Sequence, residues 1–539
     1  MSVTIVVLGA GLLFALAYRF YGRFLSVHFG LDAARKTPAV ELSDGLDYVP
    51  AKKNFLLGQH FSAIAAAGPI VGPILGALYF GWLPVLLWIV LGAIFFGAVH
   101  DFSALVGSVR HRAVSIVEMM QQYLGKTGHV LFLIFVWLSL AYVITAFTDL
   151  TSSAFVDVQF GGATASSSMM YLAIGLAMGV ALQRLRMPLA FATPFFLLFV
   201  LGAIWLGPFL PLRMSGGTDP KFVWNVLLLA YCFAASLVPV WLLLQPRGYL
   251  GGFFLYGALV MGFAGLFLGG EKIQYPAFLG FVSEKGEMLF PILFVTVACG
   301  ACSGFHGIVC SGTTSKQVEK EPDCRLVGYG GMLLEGVVAV LALATVMALA
   351  RPDALAMGSP DRIYAEGLSR FVGHLGIPAD LARSFALLAF ATFIYDTLDV
   401  ATRLARQIFQ ELCGWRGRGG AVLATAASLL VPLLCVSLKV TDAAGDRVPA
   451  WKVFWTIFGT SNQLLAGLTL MLLSLWLKKS GKNWWLAGVP MLFMLTMTFW
   501  SLVLMIRPQL DAKSLVASVL LVLSACLVGK ALVFCRSMR

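Results

Sequence analysis

Long apolar runs, separated by short polar connections, follow one another along this chain. Each run can cross the hydrocarbon core of a bilayer, which takes roughly 20 residues of helix. None of them alternates in polarity as the strands of a membrane β-barrel do. The pattern predicts an all-α polytopic membrane protein with about 15 transmembrane helices. Their predicted limits are 3–25, 55–80, 83–108, 129–157, 168–183, 188–209, 222–244, 250–270, 288–312, 326–350, 380–410, 420–437, 453–477, 484–506 and 512–535.

Composition agrees with a place in the membrane. The 539 residues are 59% hydrophobic and 12% charged, with a mean hydropathy of +0.88, whereas soluble proteins carry about a quarter charged residues. The net charge of +12 could suggest a nucleic-acid partner, but membrane proteins concentrate Lys and Arg in cytoplasmic loops. We therefore expect no nucleic-acid partner. The nine cysteines are scattered, mostly within apolar runs, and indicate no disulfide framework.

Motifs of soluble enzymes and ATP-driven pumps do not occur in the sequence. It contains no Walker loop, no Gly-x-Ser-x-Gly and no His-Glu-x-x-His. We therefore expect neither catalysis nor a cofactor, and no use of ATP by this chain.

The loop charges predict an orientation. With the N-terminus outside, roughly 25 of the 38 Lys and Arg residues lie on the inner side, as the positive-inside rule expects. Arg247 is counted among these loop residues. Arg19 and Arg23 follow the first apolar run and no positive charge precedes it, which favours a retained span over a cleaved signal. The C-terminus is then cytoplasmic, and the surrounding lipid bilayer is a partner of the whole chain.

Two of the apolar runs contain residues that break helices. The segment 58–73 carries Gly68-Pro69 and Gly72-Pro73, and the segment 298–314 is rich in glycine. Broken backbone at membrane depth is tolerated where protein buries it or where it lines a wet cavity, and it then supplies ligands for solutes. The alternative is that these glycines only let helices pack closely. We expect residues 68–73 and 302–307 to be non-helical and to face each other.

The two halves of the chain follow the same order of segments. A broken span is followed by a long span, then by a short amphipathic helix, near 115–124 or 363–372, and then by a span that carries an aspartate. Because one series starts inside and the other outside, the pattern predicts an inverted repeat of the five-plus-five transporter type. Within one transporter domain, 1–539, the predicted repeats are 55–209 and 288–477. Peripheral helices and loops are predicted at 1–54, 210–287 and 478–539.

Several motifs resemble one known family, the carbon starvation protein A family. They cover nearly the whole chain in order, and they are Asp47-Tyr-Val-Pro50, the segment 60–73, Ser303-Gly-Phe-His-Gly307, Ser311-Gly-Thr-Thr314, Thr397-Leu-Asp-Val-Ala-Thr-Arg403 and Phe458-Gly-Thr-Ser-Asn-Gln463. The resemblance implies an inner-membrane carrier of the amino acid–polyamine–cation superfamily type. It also implies uptake of short peptides or pyruvate during nutrient limitation, driven by protons.

Titratable residues inside the spans are candidates for proton coupling, because charge at membrane depth is costly and marks functional sites. His60 and His306 lie one in each broken segment, and histidine titrates near physiological pH. Asp149 and Asp396 occupy similar places in the two repeats. Asp101, beside His100, fits a transport role and a place at the cytoplasmic mouth equally well.

Further polar residues suggest a substrate site, an ion pair and a metal alternative. Predicted substrate-binding residues are Gly68, Pro69, Gly72, Pro73, Ser303, Gly304, His306, Ser311 and Thr313. The amides of Asn462 and Gln463 fit a substrate contact and a tie between helices equally well. Asp399 and Arg403 are one helical turn apart and predict an internal ion pair. Helical spacing also aligns a possible soft-metal face, which we disfavour against packing, so that we expect no metal: Cys299, Cys302, His306 and Cys310.

The sequence thus favours a secondary transporter that imports a small carboxylate-bearing nutrient with protons. Helix N-termini at the breaks would hold the carboxylate, and groups of helices would rock to give alternating access. A membrane-embedded nutrient sensor and a channel are the alternatives.

Overall fold

The computed structural model describes residues 2–44, 48–65, 67–214, 219–239, 241–438, 450–506 and 512–537. Asp47, with which one of the motifs begins, and parts of the predicted peripheral segments lie outside these ranges. Besides a single 3-10 turn at Thr314–Lys316, the described residues form twenty helices, which we number in chain order. They are α1 (Val3–Phe29), α2 (Pro38–Glu41), α3 (Lys53–Ile64), α4 (Gly68–Phe80), α5 (Trp82–Arg110), α6 (Ile116–Phe155), α7 (Gly161–Gln183), α8 (Leu189–Phe209), α9 (Pro220–Leu237), α10 (Leu244–Gly269), α11 (Leu289–Thr296), α12 (Gly304–Gly312), α13 (Arg325–Met347), α14 (Arg351–Met357), α15 (Pro360–Gly373), α16 (Ala379–Cys413), α17 (Gly417–Ser437), α18 (Ala450–Lys479), α19 (Trp485–Met505) and α20 (Ala512–Ser537).

The described residues contain 13 or 14 membrane-spanning helices, against a prediction of about 15. Thirteen described helices are long and apolar enough to cross a membrane, and the bent pair α3–α4 adds a fourteenth span. The remaining predicted span, 288–312, is divided into the short helices α11 and α12. All the predicted apolar runs are therefore present, but one of them is not a single helix, because glycine-rich backbone interrupts it.

Both predicted amphipathic helices are confirmed in position. The first forms the start of α6 and ends at Gly125, whose φ of 69° and ψ of −176° interrupt the helix before the membrane-spanning part. A positive φ is readily adopted by glycine, which has no Cβ. The second is α15, in which Ile363, Leu368 and Phe371 are buried on one side.

Residue contacts divide the chain into two compact units. The first unit comprises residues 1–136, 273–347 and 459–539. Within it, α13 packs against α1, α3, α4 and α5, while α12 packs against α3 and α5. Both broken segments therefore belong to this unit, around the almost completely buried α13.

The second unit comprises residues 137–272 and 348–458. Its centre is α16, which packs against α7, α9, α10, α15 and α17. The part of α6 from residue 137 onwards, which carries Asp149, and helix α16, which carries Asp396, belong to this unit. The limits of the two predicted inverted repeats stay a prediction.

A buried carboxylate holds three segments of the first unit together outside the spans. The Glu321 side chain has no exposed surface. It accepts hydrogen bonds from Arg110 Nε at 2.8 Å, from Arg35 Nη1 at 2.8 Å and from the Asp32 N–H at 2.8 Å. Burial by itself would raise the pKa of the Glu321 carboxyl, but these hydrogen bonds and the Arg110 charge outweigh it and hold the pKa below its usual value. The connection after α12 is thereby tied to the end of α5 and to the segment after α1.

We predict that the Glu321 contacts stabilise the purified protein at neutral pH and lose this effect in acid. A depressed pKa in the folded state gives stability that is present above the unfolded pKa, about 4.3, and lost as the pH falls through the folded pKa. Glu321→Gln should cost about 2 kcal/mol at pH 7, in the range of hydrogen bonds to charged groups, and should flatten the acid limb of a Tm-against-pH curve. Glu319→Gln, at an exposed position two residues earlier, is the control. Equal curves for both variants would contradict the prediction.

Candidate functional site

The first break lies before the proline pairs and not at them. Helix α3 ends at Ile64 and α4 begins at Gly68, with Pro69 in its first turn. The prediction that residues 68–73 are non-helical was wrong, because proline fits the first turn of a helix, where its missing N–H would have no intrahelical partner. Pro73 lies further inside α4 and removes one backbone hydrogen bond there.

The second break leaves seven residues, 297–303, outside regular helix between α11 and α12. Cys302 and Ser303 are non-helical, as predicted, whereas helix α12 already begins at Gly304. For residues 304–307 the prediction was therefore wrong. Ser303 has an extended backbone, with φ −122° and ψ 126°, and leads directly into the helix.

The two broken segments lie against each other, but residues 68–73 contact residues 296–300 and not the predicted stretch 302–307. A Cβ atom added to Gly68 would come within 2.4 Å of Cys299 Sγ, and one added to Gly72 within 2.6 Å of the Thr296 carbonyl oxygen. A Cβ on Gly304 would lie 2.3 Å from the Asn462 carbonyl oxygen on α18. These glycines permit close helix packing, which is the alternative that the sequence left open. A substrate-binding role for Gly68, Pro69, Gly72, Pro73 and Gly304 stays a prediction.

Two amides of α18 bind the polar groups that the second break leaves open. Asn462 accepts the Phe305 N–H at 2.9 Å and donates to Ser303 Oγ at 3.0 Å. Gln463 donates from Nε2 to the carbonyl oxygens of Phe294 and Cys302, at 3.0 and 3.2 Å. The sequence allowed these amides either a substrate contact or a tie between helices. In the structure they form the tie between helices.

The hydroxyl groups of the second broken segment also have protein partners. Ser311 Oγ donates to the Gly307 carbonyl at 2.7 Å and accepts the Ile116 N–H at 2.9 Å. Thr313 Oγ1 donates to the Val309 carbonyl at 3.0 Å. Ligand roles for Ser303, Ser311 and Thr313 stay predictions, and each role would require its hydroxyl to share or exchange these partners.

A chain of four titratable side chains runs through the first unit beside this break. His100 Nδ1 lies 2.7 Å from Asp101 Oδ1, and His306 Nδ1 lies 2.8 Å from Asp101 Oδ2. On its other side, His306 Nε2 lies 3.0 Å from Glu335 Oε2. All four side chains are at most 1% exposed. Helix α13 holds Glu335 near the break, since a Cβ added to Gly300 would lie 2.7 Å from Ala339, one turn further along α13.

The geometry of His306 determines what this chain can do with a proton. Both ring nitrogens lie within ion-pair distance of carboxylates, and a proton on each nitrogen makes His306 a cation. With His100 and His60 neutral, Asp101 and Glu335 then leave one excess negative charge. One further proton makes the group neutral, and burying an unbalanced charge is costly. The arrangement is therefore suited to take up and release a proton.

His60 lies close to the same group. Its Nδ1 is 2.9 Å from Thr314 Oγ1, and its Nε2 is 3.9 Å from Cys310 Sγ. The two histidines predicted from the two broken segments thus belong to one buried region, which also contains Asp101.

The metal alternative takes a different form in the structure. Ligand atoms of His60, Asp101 and Cys310 all lie within 4.8 Å of one another. Of the four residues in the predicted soft-metal face, Cys310 belongs to this cluster. The ring of His306 is instead directed at two carboxylates. Asp101 and His60 have protein partners in this arrangement. That the chain holds no metal stays a prediction.

Asp149, in the second unit, lies in an ion pair at a helix N-terminus. Its Oδ1 is 2.9 Å from Lys221 Nζ, and its Oδ2 accepts the Trp451 N–H at the start of α18, also at 2.9 Å. A carboxylate in this position satisfies a free N–H group and interacts favourably with the helix dipole. A structural role accounts for these contacts, and a role in proton coupling stays a prediction.

The prediction that Asp399 forms an ion pair with Arg403 was wrong. Asp399 Oδ2 lies 2.8 Å from Arg247 Nη2, and the same guanidinium pairs with Asp396. Arg403 instead donates to the carbonyl oxygens of Ala235 and Val238, at 3.0 and 2.7 Å, at the end of α9. Carbonyl groups at a helix C-terminus lack intrahelical partners and attract cations, which explains the preference of Arg403.

Sequence reasoning missed two central charged residues. Arg247 was assigned to a loop, but it lies in the first turn of α10 with 1% of its surface exposed. Glu335 lies in the middle of an apolar run and was not selected. An acid within a span is itself a signal of function, so Glu335 could have been found by that rule. For Arg247 the sequence signal was weak, because it stands at the edge of the apolar run.

We predict that the Asn462 tie is needed for the stability of the broken segment. Asn462→Ala leaves the Phe305 N–H and Ser303 without their partner and should cost about 1–3 kcal/mol, the penalty for an unsatisfied buried polar group. Thermal unfolding of the purified protein measures this loss. Asn54→Ala, at an exposed position, is the matched control and should leave the Tm unchanged. An unchanged Tm for Asn462→Ala would rule out the tie.

Comparison with a solved structure supports the fold class. A manganese transporter of Eremococcus coleocola, in complex with an aromatic bis-isothiourea substituted compound, matches with a TM-score of 0.53 and 13% identity. The match covers 92% of this chain and 99% of that one. At this identity the likeness shows the fold alone. The chain is an all-α polytopic membrane protein of the five-plus-five transporter type.

Comparison with sequences shows the family. The "Peptide transporter CstA" of Helicobacter pylori is 32% identical over 576 residues, which cover 94% of this chain and 82% of that protein. The "Pyruvate/proton symporter BtsT" of Escherichia coli is 28% identical, over 95% of this chain and 83% of that protein. The family model "Carbon starvation protein CstA" matches residues 1–370 and 359–501. This chain belongs to the carbon starvation protein CstA family.

Proposed function

We propose that this chain is a secondary transporter that imports short peptides or pyruvate-like carboxylates together with protons. The observation that carries the proposal is the buried chain Asp101–His306–Glu335 beside the break at residues 297–303, in a member of a family whose relatives are named as transporters. Interrupted helices at membrane depth are typical of transport sites.

The charge of this group gives a reason for coupling. Without an added proton, the acids Asp101 and Glu335 exceed the single cation His306 by one charge. An arriving carboxylate would be repelled by this excess in a medium of low dielectric constant. One proton on the His306–Glu335 pair removes the excess, so proton binding favours carboxylate binding. Reciprocal coupling of this kind is what a symporter requires.

The groups that surround His306 and Glu335 come from several helices, and they set the charge that either residue meets. The titratable ones are His60, His100, Asp101, Cys299, Cys302 and Cys310. In the part of the chain that the structure describes, the groups named here include no Lys or Arg. Of the four residues predicted to couple protons, His60 and His306 belong to this region, while Asp149 and Asp396 lie in separate ion pairs of the second unit.

A substrate carboxylate would bind at the helix N-termini beside the breaks, those of α4 and α12. Both ends carry the partial positive charge of the helix dipole. At α12 the Phe305 N–H is bonded to Asn462, so a carboxylate there would share or displace that partner. Peptides and pyruvate both present a carboxylate, so the same mode of binding serves both substrate classes named for the relatives.

We also propose the cell inner membrane as the location, with the N-terminus outside and the C-terminus cytoplasmic. The support is the excess of Lys and Arg on the predicted inner side. Arg247 drops out of that count, because it is buried in α10, and the sign of the excess is unchanged.

Uptake into proteoliposomes under an imposed proton gradient tests the function. One pH unit corresponds to about 1.4 kcal/mol per proton and can drive about tenfold accumulation for each coupled proton. We expect saturable, gradient-driven accumulation of pyruvate or a dipeptide by the wild type. Glu335→Gln fixes the pair in one charge state, so accumulation should fall to the equilibrium level while exchange of substrate continues.

Glu118→Gln, an exposed acid on α6, is the matched control and should accumulate substrate like the wild type. Substrate binding without any uptake would indicate a sensor. Uptake that does not saturate and only dissipates gradients would indicate a channel. Normal accumulation by well-folded Glu335→Gln would remove Glu335 from the coupling step.

A further inference from the structure

A second buried charged cluster lies in the second unit, where one guanidinium faces two carboxylates. Arg247 Nε and Nη2 lie 3.0 and 2.8 Å from Asp396 Oδ1, and Nη2 is also 2.8 Å from Asp399 Oδ2. Arg247 is 1%, Asp399 2% and Asp396 6% exposed. Asp396 thus accepts from two guanidinium nitrogens, Nε and Nη2. Asp399 has only Nη2, which it shares with Asp396.

The hydrogen bonds of Asp399 are incomplete. Its Oδ2 accepts the Tyr231 hydroxyl at 2.8 Å in addition to Arg247. Its Oδ1 is buried and has no hydrogen-bond partner among the residues that the structure describes. An ionised carboxylate would leave this oxygen charged and unsatisfied, which is costly in a buried site.

The surroundings contain one further cation, Arg403, but it forms no ion pair with Asp399 among the described residues. Groups that act on Asp399 from the packed helices, and from α16 itself, are Tyr171, Tyr231, Cys232, Arg247, Tyr395, Asp396 and Arg403. Arg403, the second cation, is bonded to the backbone carbonyls of Ala235 and Val238. Counted by itself, the Arg247–Asp396–Asp399 triad has two carboxylates for one guanidinium, which is one negative charge in excess.

We propose that this triad binds one proton, held on Asp399 at Oδ1. The proton balances the single positive charge of Arg247 against a single remaining carboxylate, that of Asp396. It also converts the unsatisfied oxygen into a neutral hydroxyl. This proton site is separate from the His306–Glu335 pair and does not depend on what the protein transports. A metal cation would need several oxygen ligands, whereas among the described residues that act on Asp399 the unpartnered oxygens are its own Oδ1 and Tyr395 Oη.

Infrared spectroscopy of the purified full-length protein at pH 7 tests the proposal, because a protonated carboxylic acid has its own carbonyl band. The wild type should show a band that Asp399→Asn lacks. Asp396→Asn should lack it too, since Arg247 then faces one carboxylate, which is fully ionised. Both single variants should keep a Tm near that of the wild type, because each retains one carboxylate for one guanidinium. The double variant leaves Arg247 unpaired and should lose folded protein.

Two further variants make the test specific. Asp380→Asn, an exposed aspartate on the same helix α16, should leave the band unchanged. Tyr231→Phe removes a hydrogen bond that Asp399 receives and Asp396 does not, so it should shift the band if the proton is on Asp399. A band that persists in Asp399→Asn, or that Tyr231→Phe leaves in place, would overturn the proposal. So would failure of both single variants to fold, or a wild type with no band whose Tm rises with sodium.

Discussion

A polar backbone that leaves the helix inside a membrane must find partners in the protein, and this constraint organises the first unit. The break at residues 297–303 depends on Asn462 and Gln463, which bind its open N–H and C=O groups from a neighbouring helix. Glycines at Gly68 and Gly72 let the other broken segment come close enough to enclose it. Because the backbone is satisfied in this way, the break can persist beside the charged groups of His306 and Glu335.

Buried charge is divided among separate groups, and each group has its own balance. In the first unit His306 lies between the acids Asp101 and Glu335, and in the second unit Arg247 lies between Asp396 and Asp399. Asp149, in contrast, is matched by Lys221 and by a helix N-terminus. A buried group with more carboxylates than cations favours binding of a proton, whereas a balanced ion pair stabilises the fold. On this basis the contacts of Asp149 are those of a structural residue, whereas coupling through His306 is part of our proposal.

The sequence predicted the helices well and their partners poorly, for a physical reason. Membrane spans follow from the length of local apolar runs, so each predicted run is present, even where α11 and α12 divide it. Pairing is decided by residues far apart in the chain. Arg403 lies one turn from Asp399, yet Asp399 pairs with Arg247, more than one hundred residues earlier. The position of the first break was also misjudged, because Pro69 can start a helix as well as end one.

The measurement that tests proton coupling most directly is the movement of protons with substrate when no gradient is imposed. Wild-type proteoliposomes in weakly buffered medium should make the external pH rise when pyruvate or a dipeptide is added, because each carboxylate enters with a proton from outside. Protonophore should abolish the pH change, and Glu335→Gln should not show it. Entry of substrate with no change in external pH would contradict coupling through the His306–Glu335 pair.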